Sequence, residues 1–357
     1  MYDIPILMLH TVNDRPQDNP MGELAVSSKG LEAYLKVFKR WNYQMISMDD
    51  LLKGNYDKDR NYIVLTFDDG YKDNYTVAMP ILKKYQARAT IFVNPAYVST
   101  ESDDSDWGFM TWEEVEKAEA SCVFDVQAHT MTHEFVFTSD KIVDYYTPDK
   151  FRRYYWLAWM LWPDAPNHWD SKANRYRDLI PTGYPVFEYG RRIASRKFIP
   201  NQDYIDFLIE QYRQRGEAEY TGNRGIYESE EEFQKYTRWE IEECKKQLEE
   251  KLHKTIHTLC FPGGGYTDFA LNIAKNCGYQ CYMTASRLRL GNNYDHLANI
   301  KKGIFSGLNR TSFSLIHLGI LPDDFYDYWV AKLSLGSYQT VAPYDTIKQL
   351  LAKVLHR

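Results

Sequence analysis

Residues Tyr62–Phe67 read Tyr-Ile-Val-Leu-Thr-Phe, and Asp68-Asp69-Gly70 follows at once. An unbroken apolar run rich in β-branched residues suits a strand covered on both faces, as in a parallel sheet. A turn-forming Asp-Asp-Gly at its C-terminal end places two carboxylates where α/β folds gather their active sites. The same character extends outward from this stretch. Short apolar strands are expected at Ile4–Leu9, Thr90–Val93 and Val123–Val126. Leu31, Leu35 and Phe38 share one face of a helix, and a helix over Thr76–Tyr85 is expected to bend or restart at Pro80. Thr111 and Glu114 form a capping box that opens a helix running to about Ala120.

The alternation returns later in the chain. Ile241, Cys244, Leu248 and Leu252 make an apolar helix face, and Ile256–Phe261 is a strand. A helix over Phe269–Asn276, a C-cap at Gly278 and a strand over Tyr282–Ala285 follow. Strand–helix alternation in both parts predicts an α/β domain with parallel strands. The intervening region differs in character: it holds Trp156, Trp159, Trp162 and Trp169, five prolines from Pro163 to Pro200, and basic Arg191, Arg192, Arg196 and Lys197. The chain is therefore divided into a split α/β domain (1–136 and 236–320), an aromatic-rich, mainly helical insertion or lid (137–235) and a C-terminal helical extension (321–357).

Composition narrows the function. The 357 residues are 26% charged and carry a net charge of -6, which argues against a nucleic-acid partner. The aromatic share is 15%, suited to sugar rings and to cores alike. No stretch approaches the roughly 20 apolar residues of a bilayer span. Ile4–Leu9 is too short for a leader core, so a cytoplasmic location, or one at the inner membrane face, is expected. Five cysteines without a Cys-x-x-Cys pair read as reduced thiols. No obligate protein partner is evident.

Two further motifs end strands: His129-Thr130-Met131-Thr132-His133 and Phe261-Pro262-Gly263-Gly264-Gly265-Tyr266. Two imidazoles at i and i+4 can face one side, and a carboxylate from another strand can complete a three-ligand divalent-metal site with an open position. Repulsion between Asp68 and Asp69 favours separate roles, one as ligand and one as base. Each motif alone is ordinary: a turn, an isolated histidine pair, a loop. All three in order, each after an apolar strand, point to one site.

At these residues the chain resembles the polysaccharide deacetylases of carbohydrate esterase family 4, which share the chitooligosaccharide-deacetylase homology domain. The carrying segments are LTFDDGYKDN with ILKKY and ATIFV, MTWEEV with DVQAHTMTH, and EIEECKKQLEEKLHKTIHTLCFPGGGYTDFALNIAKNCGY. The Phe-Pro-Gly motif and the opening PILMLHTV are similar to the branch that includes poly-β-1,6-N-acetylglucosamine deacetylases. The resemblance implies a distorted (β/α)7-type barrel and metal-dependent removal of N-acetyl groups from an amino sugar, whether in a polysaccharide or linked to a lipid or nucleotide. It implies Asp69, His129 and His133 as metal ligands and Asp68 as the base that activates water. It places Pro262, Gly263, Gly264 and Tyr266 along the substrate groove, with the Gly263 N–H as oxyanion donor. His10 takes the role of general acid, with His317 as the alternative. Zn²⁺ is the expected ion, and Co²⁺, Ni²⁺ or Mn²⁺ would suit the same ligands.

Two departures stand out. No arginine lies near Cys260 to hold the base, so Lys301, Lys302 or Arg310 is expected to substitute. The Asp-x-x-Asp-Trp type of motif is absent as well. Residues 150–162 (KFRRYYWLAWMLW) are expected either to pack in the lid or to meet a lipid-linked substrate or membrane surface. Two other readings remain: a hydrolase of imide or ureide C–N bonds, and a non-catalytic carbohydrate-binding relative.

Overall fold

The computed structural model describes residues 4–15, 24–54, 56, 60–98, 108–162, 174–284 and 293–310. Trp169, His317 and the extension expected over 321–357 lie outside these residues. The chain order opens with β1 (Ile6–Leu9), α1 (Ser28–Arg40), β2 (Tyr43–Ile46), α2 (Met48–Lys53) and β3 (Asn61–Phe67). A π-helical turn over Asn74–Ala78 leads into α3 (Met79–Lys84), then β4 (Ala89–Val93), α4 (Trp112–Ala120) and β5 (Phe124–Ala128). Pro80 thus sits at the start of α3, where its missing N–H costs nothing. The capping box on α4 forms as the sequence implies.

The next elements are β6 (Phe135–Tyr145), α5 (Phe151–Tyr154), α6 (Trp156–Leu161), α7 (Asn174–Arg177), β7 (Pro185–Arg191), β8 (Phe198–Pro200), α8 (Gln202–Gln214) and β9 (Gly225–Tyr227). The chain then enters α9 (Glu230–Leu252), β10 (Thr258–Cys260), α10 (Asp268–Asn276), β11 (Cys281–Met283), α11 (Asn293–Ile300) and β12 (Ser306–Leu308).

The main sheet follows the order β1-β3-β4-β5-β10-β11-β12, with β2 added on β3. All of its pairings are parallel. It is a distorted (β/α)7-type half-barrel. Alternate strand residues serve two apolar clusters. Ile6, Val64, Phe92, Cys260, Met283 and Leu308 join one, while Leu7, Leu65, Ile91, Leu259 and Tyr282 join the other with the flanking helices. Burial on both faces explains the unbroken apolar run over residues 62–67. Leu31, Leu35 and Phe38 on α1 and Ile241, Cys244 and Leu248 on α9 are all buried. Each such side chain contributes about 1.5–3 kcal/mol.

Among the described residues no strand ladder joins β1 to β12. Asn293 links them instead, its Nδ2 donating to the carbonyls of Ile4 (2.9 Å) and Asn309 (3.1 Å).

The insertion has its own core, built from Phe137, Tyr146, Tyr154, Trp156, Phe187, Tyr204 and neighbours. It contains helices α5 to α8, but also two antiparallel hairpins, β6–β7 and β8–β9, which the sequence pattern does not foretell. The apolar stretch at 150–162 places Phe151, Tyr154, Trp156, Leu157 and Ala158 inside that core.

Candidate metal-assisted active site

The three motifs meet at the C-terminal end of the sheet. β1 and β3 lie side by side, with Leu9 paired to Phe67, so His10 and Asp68 emerge next to each other. His10 Nε2 stands 3.9 Å from Asp68 Oδ2. Asp69 adopts φ +77° and Thr130 φ +64°. The first turns adjacent carboxylates apart, and the second turns the chain between the two histidines. Asp69 Oδ1 lies 3.2 Å from His129 Nε2 and 3.6 Å from His133 Nε2. Three donors about 2.0–2.2 Å from a tetrahedral ion would be separated by roughly 3.3 Å, so the spacing fits.

Two more observations support a cation here. Asp69 Oδ1 is buried and has no hydrogen-bond partner. Such an orphaned charge is costly unless a cation meets it. His129 Nδ1 donates to the Cys260 carbonyl at 2.8 Å, which aims Nε2 at Asp69. Burial opposes a charge on His129, yet its surroundings at Cys260 and Asp69 raise its pKa well above the ordinary imidazole value. A second grouping, Asp68 with His129 and Cys260, is also close enough. It fits less well, because Asp68 is already matched by a cation and burial raises the Cys260 thiol, disfavouring thiolate.

Asp68 accepts from Arg310 Nη1 at 2.7 Å and 2.9 Å. Burial, the largest single influence, would push the Asp68 carboxyl up, but Arg310, His129 and His10 together outweigh it and hold the pKa below the usual value. Of the three basic residues expected as substitutes, Arg310 is the one that reaches the aspartate. Burial lowers the His10 pKa despite the Asp68 charge beside it.

The third motif forms a 3₁₀ turn, Pro262–Gly264. Gly264 N–H donates to Phe261 O (2.8 Å) and Gly265 N–H to Pro262 O (3.2 Å). Gly264 is therefore not an oxyanion donor, whereas the Gly263 N–H has no internal partner among the described residues. Tyr266 packs on Phe261 and Tyr282, with ring centroids 5.3 Å away in each case.

Several side chains around the site escape a reading of the sequence alone. Glu240 on α9 accepts from the Thr132 N–H (2.9 Å) and hydroxyl, and Tyr236 reaches both Thr132 and Glu134 at 3.0 Å. Tyr97 Oη accepts from the His133 N–H at 2.9 Å. Together they clamp the histidine turn to the neighbouring helix. Trp159 of the insertion packs on Tyr97, which in turn meets Phe109, and that ring stacks on Tyr71. Arg191, also from the insertion, donates from Nη1 to His133 Nδ1 at 2.7 Å. With Nδ1 accepting, the neutral ring carries its proton on Nε2. To hold an ion through Nε2, the ring would have to carry its proton on Nδ1, where it could no longer accept from Arg191.

A parallel half-barrel with a two-histidine, one-carboxylate cluster beside a cation-held aspartate has the layout of a metal-assisted hydrolase. Residues 55–153 match the family model for polysaccharide deacetylase. Over 93 residues (25% of this chain and 31% of the relative) it is 36% identical to the "Putative polysaccharide deacetylase YxkH" of Bacillus subtilis. Over 139 residues (35% of this chain and 20% of the relative) it is 26% identical to the poly-beta-1,6-N-acetyl-D-glucosamine N-deacetylase of Escherichia coli. The matches thus span about a third or less of these curated relatives. Among solved structures, the deacetylase domain of BpsB from Bordetella bronchiseptica is similar, with TM-score 0.53 at 16% identity, covering 87% of this chain and 96% of that one. IcaB from Ammonifex degensii gives TM-score 0.52 at 16% identity over 94% and 98%. At this identity these likenesses speak for the fold.

Proposed function

We propose that the chain is a metal-dependent carbohydrate N-deacetylase that hydrolyses the acetamide of an N-acetylated amino sugar. The observation that carries this reading is the partnerless, buried Asp69 Oδ1 facing two imidazoles, next to an aspartate held ionised by Arg310. Asp69, His129 and His133 would hold the ion, with Zn²⁺ the first choice. When bound, a divalent ion lowers the pKa of water and polarises a carbonyl. Asp68 orients the attacking water and takes its proton, and Arg310 keeps Asp68 in the form that can do so. The Gly263 N–H faces the oxygen that gains charge. His10 returns a proton to the leaving nitrogen, and acetate and a free amine result. Residues 137–235 act as a lid that brings Trp159 and Arg191 to the site. No described helix is long and apolar enough to cross a membrane.

The test is acetate release from N-acetylated oligosaccharides, with and without added Zn²⁺, Co²⁺, Ni²⁺ or Mn²⁺. Asp68→Asn and His129→Ala should each abolish it. Release that persists in both variants sinks the assignment.

A further inference from the structure

We infer that Arg191 is a specificity-determining residue that pairs with an anionic group, a carboxylate or a phosphate, carried by the saccharide beside its acetamide. The inference rests on the deacetylase reading above and names the substrate class of that same site.

The placement follows from the β6–β7 hairpin. Its register sets Arg191 directly opposite Phe135, two residues past His133. The guanidinium lies over the Phe135 ring, 3.6 Å from its centroid. It also presses on the third motif: a Cβ added to Gly263 would fall 2.9 Å from Arg191 Nε. The side chain therefore fills the corner shared by His133 and Gly263, one a candidate ligand and the other the candidate oxyanion donor.

Among the described residues the corner holds no ion-pair partner for Arg191, and the Asp69 charge acts on it only from a longer distance. Arg192, the next residue, forms a two-pronged pair with Glu228 at 2.6 Å and 2.6 Å. Arg310 has Asp68. Arg191 has no carboxylate within ion-pair distance among the described residues, although it is half-buried. A guanidinium offers five N–H donors, and one is engaged here, by an imidazole. Taking a cation partly out of water without its counter-charge is costly, and that cost is recovered when an anion arrives.

The local charge points the same way. Arg310 neutralises Asp68, which leaves Asp69 as the remaining carboxylate at the ligand cluster. With Asp69, His129 and His133 holding a divalent ion the balance would turn positive, and His133 Nδ1 would no longer accept from the Arg191 fork. Its planar geometry suits carboxylate and phosphate oxygens better than single hydroxyls.

The test compares three N-acetylated substrates: a neutral oligosaccharide, a sugar phosphate, and an amino sugar bearing a carboxylate. Acetate release is measured for the wild-type protein, Arg191→Met and Arg191→Lys. The wild type should favour one of the charged substrates over the neutral one, and which one it favours identifies the source of the anion. The charged-to-neutral ratio of kcat/KM should fall about tenfold or more in Arg191→Met, chiefly through KM, because a hydrogen bond to a charged group is lost. Arg191→Lys should fall in between, and it carries the test if Arg191→Met fails to fold. A ratio unchanged in the variants, or a wild type without preference, overturns the inference while leaving the deacetylase reading intact. A wild type that releases acetate from none of the three removes both.

Discussion

One nitrogen of Arg310, Nη1, donates to both carboxylate oxygens of Asp68, across 242 positions of sequence. Both side chains are almost wholly buried, so neither charge has water to fall back on. Removing one partner of such a pair costs about 3–5 kcal/mol. Arg310→Met should lower the unfolding free energy by that order in urea titration. It should also let the Asp68 pKa rise, so the acidic limb of kcat/KM moves to higher pH. A variant with an unmoved acidic limb would show that Arg310 does not tune the base.

Divalent-ion binding gives a second test, independent of turnover. Asp69→Asn, His129→Ala and His133→Ala should each weaken binding in calorimetric titration by at least about 100-fold, beyond the 10–100-fold typical of outer partners. Arg191→Met should tighten binding, because it removes both a nearby cation and a donor that occupies His133 Nδ1. Weaker binding in that variant would contradict the competition.

Gly263 combines φ +59° with the close approach of Arg191. An L-residue in that conformation costs about 1–2 kcal/mol. Gly263→Ala should therefore lower stability by that amount and cut kcat more than it raises KM, since the N–H it displaces acts on charge that develops during reaction. Wild-type kcat in a folded Gly263→Ala protein would exclude that donor.

Asp73 is buried close to the end of β1, where the Thr11 hydroxyl and the Asn74 side chain donate to it. Burial nevertheless pushes its carboxyl up to about 7, from about 3.8 when unfolded. The folded state thus binds the proton more tightly. The stability from this site is complete below about pH 4 and disappears as pH rises through about 7. A folded-state pKa one pH unit above the unfolded one is worth about 1.4 kcal/mol. Urea titrations at pH 5 and pH 8 should show a larger loss for the wild type than for Asp73→Asn. Equal losses would remove Asp73 from the account.

Much of the barrel was legible in the sequence because its signals are local. Apolar runs marked β1, β3, β4 and β5, and the capping box at Thr111 and Glu114 announced α4. The His129 and His133 spacing and the Asp68-Asp69 pair are local as well, so the candidate ligands can be picked out without the fold. What escaped is non-local. Choosing Arg310 over Lys301 or Lys302 requires knowing that β12 brings its C-terminal end toward Asp68, and Ser-Gly-Leu is too short to reveal a strand. The β6–β7 hairpin interleaves charged residues with apolar ones, and only its register shows that Arg191 stands over Phe135. In α6 the apolar residues run all round, so periodicity could not say that Trp156 is buried in the insertion core while Trp159 also reaches Tyr97.

The span between Asp68 and Arg310 has a consequence for the order of events in the cell. Synthesis delivers His10 and the aspartate pair early and the guanidinium some 240 residues later. Until that last piece docks, the aspartate pair lacks its guanidinium, and a chain interrupted before residue 310 lacks the cation that meets Asp68. Such distant pairings also form slowly. On the proposed reading, hydrolytic competence is therefore a late acquisition, and its onset reports that the polypeptide has been made and assembled through β12.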